Sequence, residues 1–247
     1  MSETLIRFEH VTKRYGAHVA LEDVSIDVSA GELLVVIGRS GSGKTTMLRC
    51  VNALVVPDAG RVLVEGRSAE SGDVVASRRR IGYVIQSGGL FSHMTVGRNV
   101  AIVGRATGDT AERRAARVAE LLASVGLEAL ESRYPSELSG GQRQRVGIAR
   151  ALYMDPPILL LDEPFAAVDP LTRMELQDEF SRLHRRLRKT MVFVTHDVDE
   201  ALYLGDRIAV FDAGRLVQID APDDLRRNPA TEYIARFLQR RRARGDL

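Results

Sequence analysis

Short aliphatic runs alternate along the chain with longer amphipathic stretches. The runs at residues 5–8, 24–28, 33–37, 81–85, 158–161, 191–195 and 208–211 have the length of strands. Alternation of this kind predicts an α/β fold. Leu33-Leu34-Val35-Val36-Ile37 is apolar at every position, the pattern of a central strand covered on both faces. A glycine-rich turn follows it, and a helix over 44–54 follows the turn. Pro57-Asp58-Ala59-Gly60 reads as a turn and 61–65 as a short strand.

Residues 87–140 change character. Ala111, Ala115, Val118, Leu122 and Val125 recur at spacings of four and three, which predicts an amphipathic helix over 109–125. Asp109 and Glu112 suit a capping pair at its start, and Gly126 suits its stop. This region reads as a helical insertion in a sheet domain. Further helices are expected at 142–153 and 171–187, the latter long enough for a parallel crossover. Arg240-Arg241-Arg242-Ala243-Arg244 reads as a solvated tail, with lipid-headgroup contact as the alternative.

Composition narrows the picture. The 247 residues are 45% apolar and 28% charged, enough to bury a core and too apolar for global disorder. With 35 basic against 33 acidic residues, a strongly basic nucleic-acid binder is not indicated. The single cysteine, Cys50, allows no intramolecular disulfide, and no CxxC or HxxxH spacing offers a structural zinc site. Met1-Ser2-Glu3-Thr4 has neither the basic nor the apolar region of a secretory signal, and no apolar run approaches the roughly 18 residues of a membrane span. The expectation is a soluble protein of a reducing compartment whose membrane role, if any, comes through a partner.

Gly38-Arg39-Ser40-Gly41-Ser42-Gly43-Lys44-Thr45 matches GxxxxGK[ST], with an apolar strand before it and a helix after it. Glycines let backbone N–H groups turn toward phosphate oxygens, and the helix N-terminus adds a favourable dipole. Lys44 would neutralise terminal phosphate charge, the Thr45 hydroxyl would bind Mg2+, and Thr46 belongs to the same cradle. Asp162-Glu163 ends an apolar strand. Asp162 is a candidate magnesium ligand and Glu163 a candidate base for water, although paired carboxylates after a strand also start ordinary turns. None of the three lysines follows an asparagine, so an NKxD guanine reader is absent. Tyr15 suits stacking on a base, or a plain edge aromatic. Leu138-Ser139-Gly140-Gly141-Gln142 opens a helix and makes a second anion-binding terminus, or simply an N-cap with a turn.

With these motifs in this order, the chain resembles the nucleotide-binding subunits of ABC transporters over nearly its whole length. The resemblance assigns Tyr15 to adenine stacking, Gln86 to the Q-loop, residues 138–142 to the signature, Asp162-Glu163 to Walker B, Asp169 to the D-loop and His196 to the switch histidine. It implies a P-loop NTPase core with an antiparallel β-subdomain and an inserted α-helical subdomain. The expected division is 1–86 and 141–220 as core with β-subdomain, 87–140 as helical subdomain, and 221–247 as C-terminal helix and basic tail.

The implied mechanism has two copies closing head to tail on two Mg-ATP. Ser139, Gly140, Gly141 and Gln142 of one copy would touch the γ-phosphate held by Lys44 of the other. Glu163 would act as base, His196 would hold γ-phosphate or water, and Gln86 would contact magnesium or water and sense the membrane partner. The D-loop, Ala166-Ala167-Val168-Asp169, departs from the family at its first and third places, which bears on communication between the two nucleotide sites.

Ile81 to Gln86, with Ser87-Gly88-Gly89-Leu90-Phe91-Ser92-His93-Met94-Thr95-Val96, is most similar to the importer ATPases for glycine betaine, choline and related osmoprotectants. That likeness implies an integral-membrane permease, a separate substrate-binding protein, and a peripheral position at the cytoplasmic membrane face. Leu90, Phe91 and Met94 would help receive a permease helix, or else be buried in the helical subdomain. A regulatory tandem module, carried by some of the group, is not expected here. With no Trp and 5% aromatics, an aromatic cage for a quaternary ammonium is expected elsewhere than on this chain. An importer for amino acids or other small solutes is the alternative. A soluble ABC protein acting on nucleic acid or ribosomes fits less well, since the chain has one ATPase unit and no sustained heptads, and a P-loop kinase would not need residues 138–142.

Overall fold

The computed structural model describes residues 3–86, 89–166 and 168–239. In chain order its elements begin with β1 (Thr4–Tyr15), β2 (His18–Ser29), β3 (Leu33–Gly38), α1 (Lys44–Val51), β4 (Ala59–Val64), β5 (Arg67–Ser68) and α2 (Val74–Arg79). They continue with β6 (Ile81–Val84), α3 (Val96–Ala106), α4 (Ala111–Ser124), α5 (Gly140–Ala151), β7 (Ile158–Asp162) and α6 (Pro170–Leu187). The last are β8 (Thr190–Thr195), α7 (Val198–Leu204), β9 (Arg207–Asp212), β10 (Arg215–Asp220), α8 (Pro222–Arg227) and α9 (Glu232–Gln239). Two compact units result: the chain up to Val74 together with the chain from Thr190, and Val75–Lys189.

The first unit carries an antiparallel sheet in the order β2-β1-β4-β5. Along β2, Val24, Ile26 and Val28 are buried while Ser25 and Asp27 between them are exposed, the alternation of a half-buried strand. The same unit holds β3 in parallel register between β8 and β9, with Val35 opposite Phe193 on one side and Ile208 on the other. Every residue of β3 and of β8 is buried, which is why both read as unbroken apolar runs. β10 closes one edge by antiparallel pairing with β9.

The second unit pairs β6 and β7 in parallel, with Tyr83 opposite Leu160. Its helices α3, α4 and α5 pack on one another around Val118, Leu121, Leu122, Val146, Ile148 and Leu152.

The structure corrects several local expectations. Thr110, not Asp109, caps α4: its hydroxyl accepts from Arg113 N–H at 3.3 Å. The Asp109 carboxylate instead accepts from the Tyr153 hydroxyl at 2.9 Å, a tertiary contact that the local pattern does not display. Gly126 does end α4, at φ 66°, with its N–H on Ala123 O and that of Leu127 on Leu122 O. α1 stops at Val51 rather than 54, because Ala53 takes φ 51°. The first hairpin is far longer than the two aliphatic runs suggested, and α3, α7 and β10 were not anticipated individually. Ser87, Gly88, Ala167 and the arginines at 240–244 lie outside the described residues.

Candidate functional site

In the first unit, β3 delivers the chain into the turn 38–43 and α1 leaves it. Gly43 is the N-cap of α1 at φ 99°, and no side chain caps the helix, so its first N–H groups face the turn. A side chain at Gly43 would put its Cβ 2.1 Å from Ala20 O, so this position admits only glycine. Lys44 is 5% exposed, and its ammonium donates to Gly38 O and Arg39 O at 2.9 Å each, which folds the turn around it. Ser42 Oγ is buried without a hydrogen-bond partner. An orphaned hydroxyl, a buried cation and uncapped N–H groups together fit a phosphate cradle. Arg39, Ser40 and Gly41 are exposed along its rim, while Thr45 and Thr46 are half-buried on the first turn of α1.

Two other expected residues lie in this unit. Tyr15 ends β1 before Gly16, whose φ of 58° makes the hairpin turn. Its ring is 49% exposed, with Lys13 Nζ 5.6 Å from the ring centre, so a flat face is presented to solvent beside a cation. His196 is exposed just beyond β8. Next to it, Asp197 accepts from Asp199 N–H at 3.0 Å and caps α7, which fixes the backbone that carries the imidazole.

The second unit holds the acidic residues. β7 is buried from end to end, and Asp162, its last residue, is 6% exposed. Glu163 follows at φ 46°, a left-handed conformation uncommon for a side-chain-bearing residue. The Gln86 amide donates to Glu163 Oε2 at 3.3 Å. The sequence reading missed Tyr83, whose hydroxyl donates to Asp162 Oδ2 at 3.4 Å. Its place on β6, three residues before Gln86, was the available signal. Oxygen donors of this kind, carboxylate and amide, suit a hard cation such as Mg2+.

Ser139 is the N-cap of α5. Its hydroxyl accepts from Gln142 N–H at 3.2 Å while Gln142 Oε1 accepts from Ser139 N–H at 2.9 Å. Ser139 stays exposed. Gly141 is buried where α5 meets α6; a Cβ there would stand 3.0 Å from Leu176. Asp169 caps α6 by accepting from Thr172 N–H at 3.0 Å.

Phe91 is 41% exposed, whereas Leu90 and Met94 are half-buried. Asn99, fully buried and absent from the sequence reading, shapes this loop. Its amide donates to Phe91 O, Met94 O and Thr95 O at 3.0–3.1 Å, and its oxygen accepts from Phe91 N–H at 2.8 Å.

Comparisons with known proteins bear on the family and the fold. The family profile described as ABC transporter matches residues 21–166. The glycine betaine/carnitine/choline transport ATP-binding protein OpuCA of Bacillus subtilis is 47% identical over 96% of this chain and 63% of its own length. The choline transport ATP-binding protein OpuBA of the same organism is 46% identical with the same coverage, so the chain spans less than two thirds of these two relatives. The glycine betaine uptake system ATP-binding protein YehX of Escherichia coli is 46% identical over 96% of this chain and 77% of its own length. Among solved structures, CbiO1 of Clostridium perfringens, part of the CbiONQ transporter complex, superposes with TM-score 0.84 at 27% identity, covering 98% of this chain and 97% of that one. The dimeric cassette MJ0796 bound to ADP and phosphate gives 0.78 at 33%, covering 88% and 99%.

Proposed function

The chain belongs to the ABC transporter family, and from that premise we propose that it is the ATP-hydrolysing subunit that powers an importer of osmoprotectants such as glycine betaine or choline. The observation that carries the hydrolytic part is the pairing of Gln86 with Glu163 at the end of a fully buried strand. The solute class rests on the likeness to relatives named for betaine, carnitine and choline transport.

In this reading the turn 38–43, Lys44 and Thr46 bind the ATP phosphates and Tyr15 stacks on adenine. Thr45, Gln86 and Asp162 are the oxygen donors for Mg2+, which when bound neutralises phosphate charge and polarises the bond to be broken. Glu163, oriented by the Gln86 amide, accepts a proton from water as the water oxygen bonds to the γ-phosphorus. The bond to the β-phosphate oxygen breaks, and ADP and inorganic phosphate leave. His196 holds the γ-phosphate in line. The second copy supplies Ser139, Gly140, Gly141 and Gln142 to the same phosphate, and Asp169 links the two sites. Catalysis is then positioning and charge stabilisation.

The motion would pass to a permease through the Phe91 loop, with solute captured by a separate binding protein and this chain held at the cytoplasmic face by the permease. No helix among the described residues is long and apolar enough to cross a membrane. Residues 87–140 are the proposed helical subdomain. The deciding experiment replaces Glu163 by Gln. Phosphate release should fall by about a hundredfold or more, and an ATP-bound dimer should accumulate on size-exclusion chromatography. Turnover at the unsubstituted rate would refute the assignment. Uptake of labelled glycine betaine and choline, in cells lacking the chain and in cells given it back, tests the solute class.

A further inference from the structure

Within the second unit, α5, α6 and the end of α4 line a cavity of about 370 Å³ that is open to solvent on one side. Its apolar wall includes Ile148, Leu176 and Leu183, with Phe165 and Phe180 edge to face at 6.0 Å. Its polar lining is lopsided: Arg145, Arg182 and Arg186 line it together with a single carboxylate, Glu179. Arg145 Nη1 sits 3.3 Å from Glu179 Oε2 and donates to Val125 O at 3.3 Å, and Arg186 donates to Ser124 O at 2.8 Å. Arg145 Nε is buried with no hydrogen-bond partner, as is Glu179 Oε2, so the excess of positive charge comes from Arg182 and Arg186. A buried donor without an acceptor is unfavourable, and an added acceptor would relieve it.

The lining does not belong to the nucleotide machinery, yet it touches three segments that carry it. Phe165 lies two residues beyond Glu163, α5 starts at the Ser139 cap, and α6 starts at the Asp169 cap. An occupant would therefore brace all three at once.

We propose that this cavity binds a small amphiphilic anion, with its apolar body against Phe165, Phe180 and Leu183 and its acidic head on Arg145 and Arg182, and that occupancy alters ATP turnover. The volume suits a compact molecule, and apolar walls with few convergent polar groups are the usual make-up of such sites. Binding is independent of the proposed function, whereas the effect on turnover rests on it.

The test is fluorescence titration of the nucleotide-free chain with anilinonaphthalene sulfonate, beside its neutral analogue phenylnaphthylamine. Saturable binding at one site is expected. It should weaken about tenfold or more for the neutral analogue and in Arg182→Glu, since a charge-assisted contact is lost. It should also be lost in Leu183→Trp, which fills the cavity. Arg182 is exposed, so its variant should fold even if Leu183→Trp does not. At saturation the sulfonate should change turnover by about fivefold, and should not do so in Arg182→Glu. Equal affinity for both probes, affinity unchanged in Arg182→Glu, or turnover indifferent to saturation would each overturn the proposal. A chain that binds the sulfonate as expected but hydrolyses no ATP would instead refute the proposed function.

Discussion

Glu163 shows how much one residue can depend on its surroundings. Its left-handed backbone is disfavoured for any side-chain-bearing residue, and it is held between a buried strand and the buried Pro164 and Phe165. Tyr83 plays the same supporting part for the preceding carboxylate. Replacing Tyr83 by Phe keeps the ring and removes the donor to Asp162. The loss of one hydrogen bond to a charged group should slow phosphate release about tenfold. The Mg2+ concentration for half-maximal rate should rise while unfolding by urea stays nearly unchanged. A variant with normal magnesium dependence would leave Tyr83 with a packing role alone. Neither effect could be argued from sequence, since an aromatic at that point of a strand is an ordinary core residue until its hydroxyl is located.

At the scale of elements, α5 serves two purposes with one terminus. The Ser139–Gln142 capping box satisfies the helix's own N–H groups, and the same exposed serine is the proposed contact for a phosphate held by another copy. Substitutions separate the two roles. Ser139→Ala should lower stability by about 1 kcal/mol through the lost cap. Ser139→Asp keeps a good cap and places a negative charge where phosphate is to be met. That variant should unfold at the denaturant concentration of the unsubstituted chain and bind ATP as a monomer with unchanged affinity, yet fail to hydrolyse it. If its turnover persists, capping is the whole of Ser139's contribution. The S-G-G-Q pattern was legible because capping and anion binding use the same residue types. How closely each glycine is packed was not, because the neighbour of Gly141 is Leu176 of another helix.

At the scale of the whole molecule, a few surface carboxylates far apart in the chain are tied to neighbours that hold them below the ordinary range. Asp58 accepts first from Arg14 N–H and then from Lys13, Glu137 from Tyr134 N–H and then Arg133, and Glu22 from the Arg215 guanidinium. Each has a lower pKa folded than unfolded, so acid protonates the unfolded chain first. The stability these groups give is complete at neutral pH and declines as pH falls below about 4. Asp58 and Glu137 are exposed and Glu22 is half-buried, so the decline is gradual. Urea midpoints should therefore be lower near pH 3 than at pH 7; an equal or higher midpoint in acid would contradict the linkage.

The sequence by itself determined what local pattern and covalent spacing can carry. Unbroken apolar runs marked β3, β7 and β8 because strands buried on both faces have no polar positions to spare. The glycine spacing marked the turn 38–43 because few other residues let backbone N–H groups converge. Only the tertiary structure decided which residues meet across long separations. It gave Asp109 to Tyr153 instead of to its own helix, set Gln86 against Glu163, put the Tyr83 hydroxyl on Asp162, and built a loop around Asn99. Such pairings depend on where separate elements come to rest, and the free energy that selects them is spread over packing that no short stretch of sequence displays.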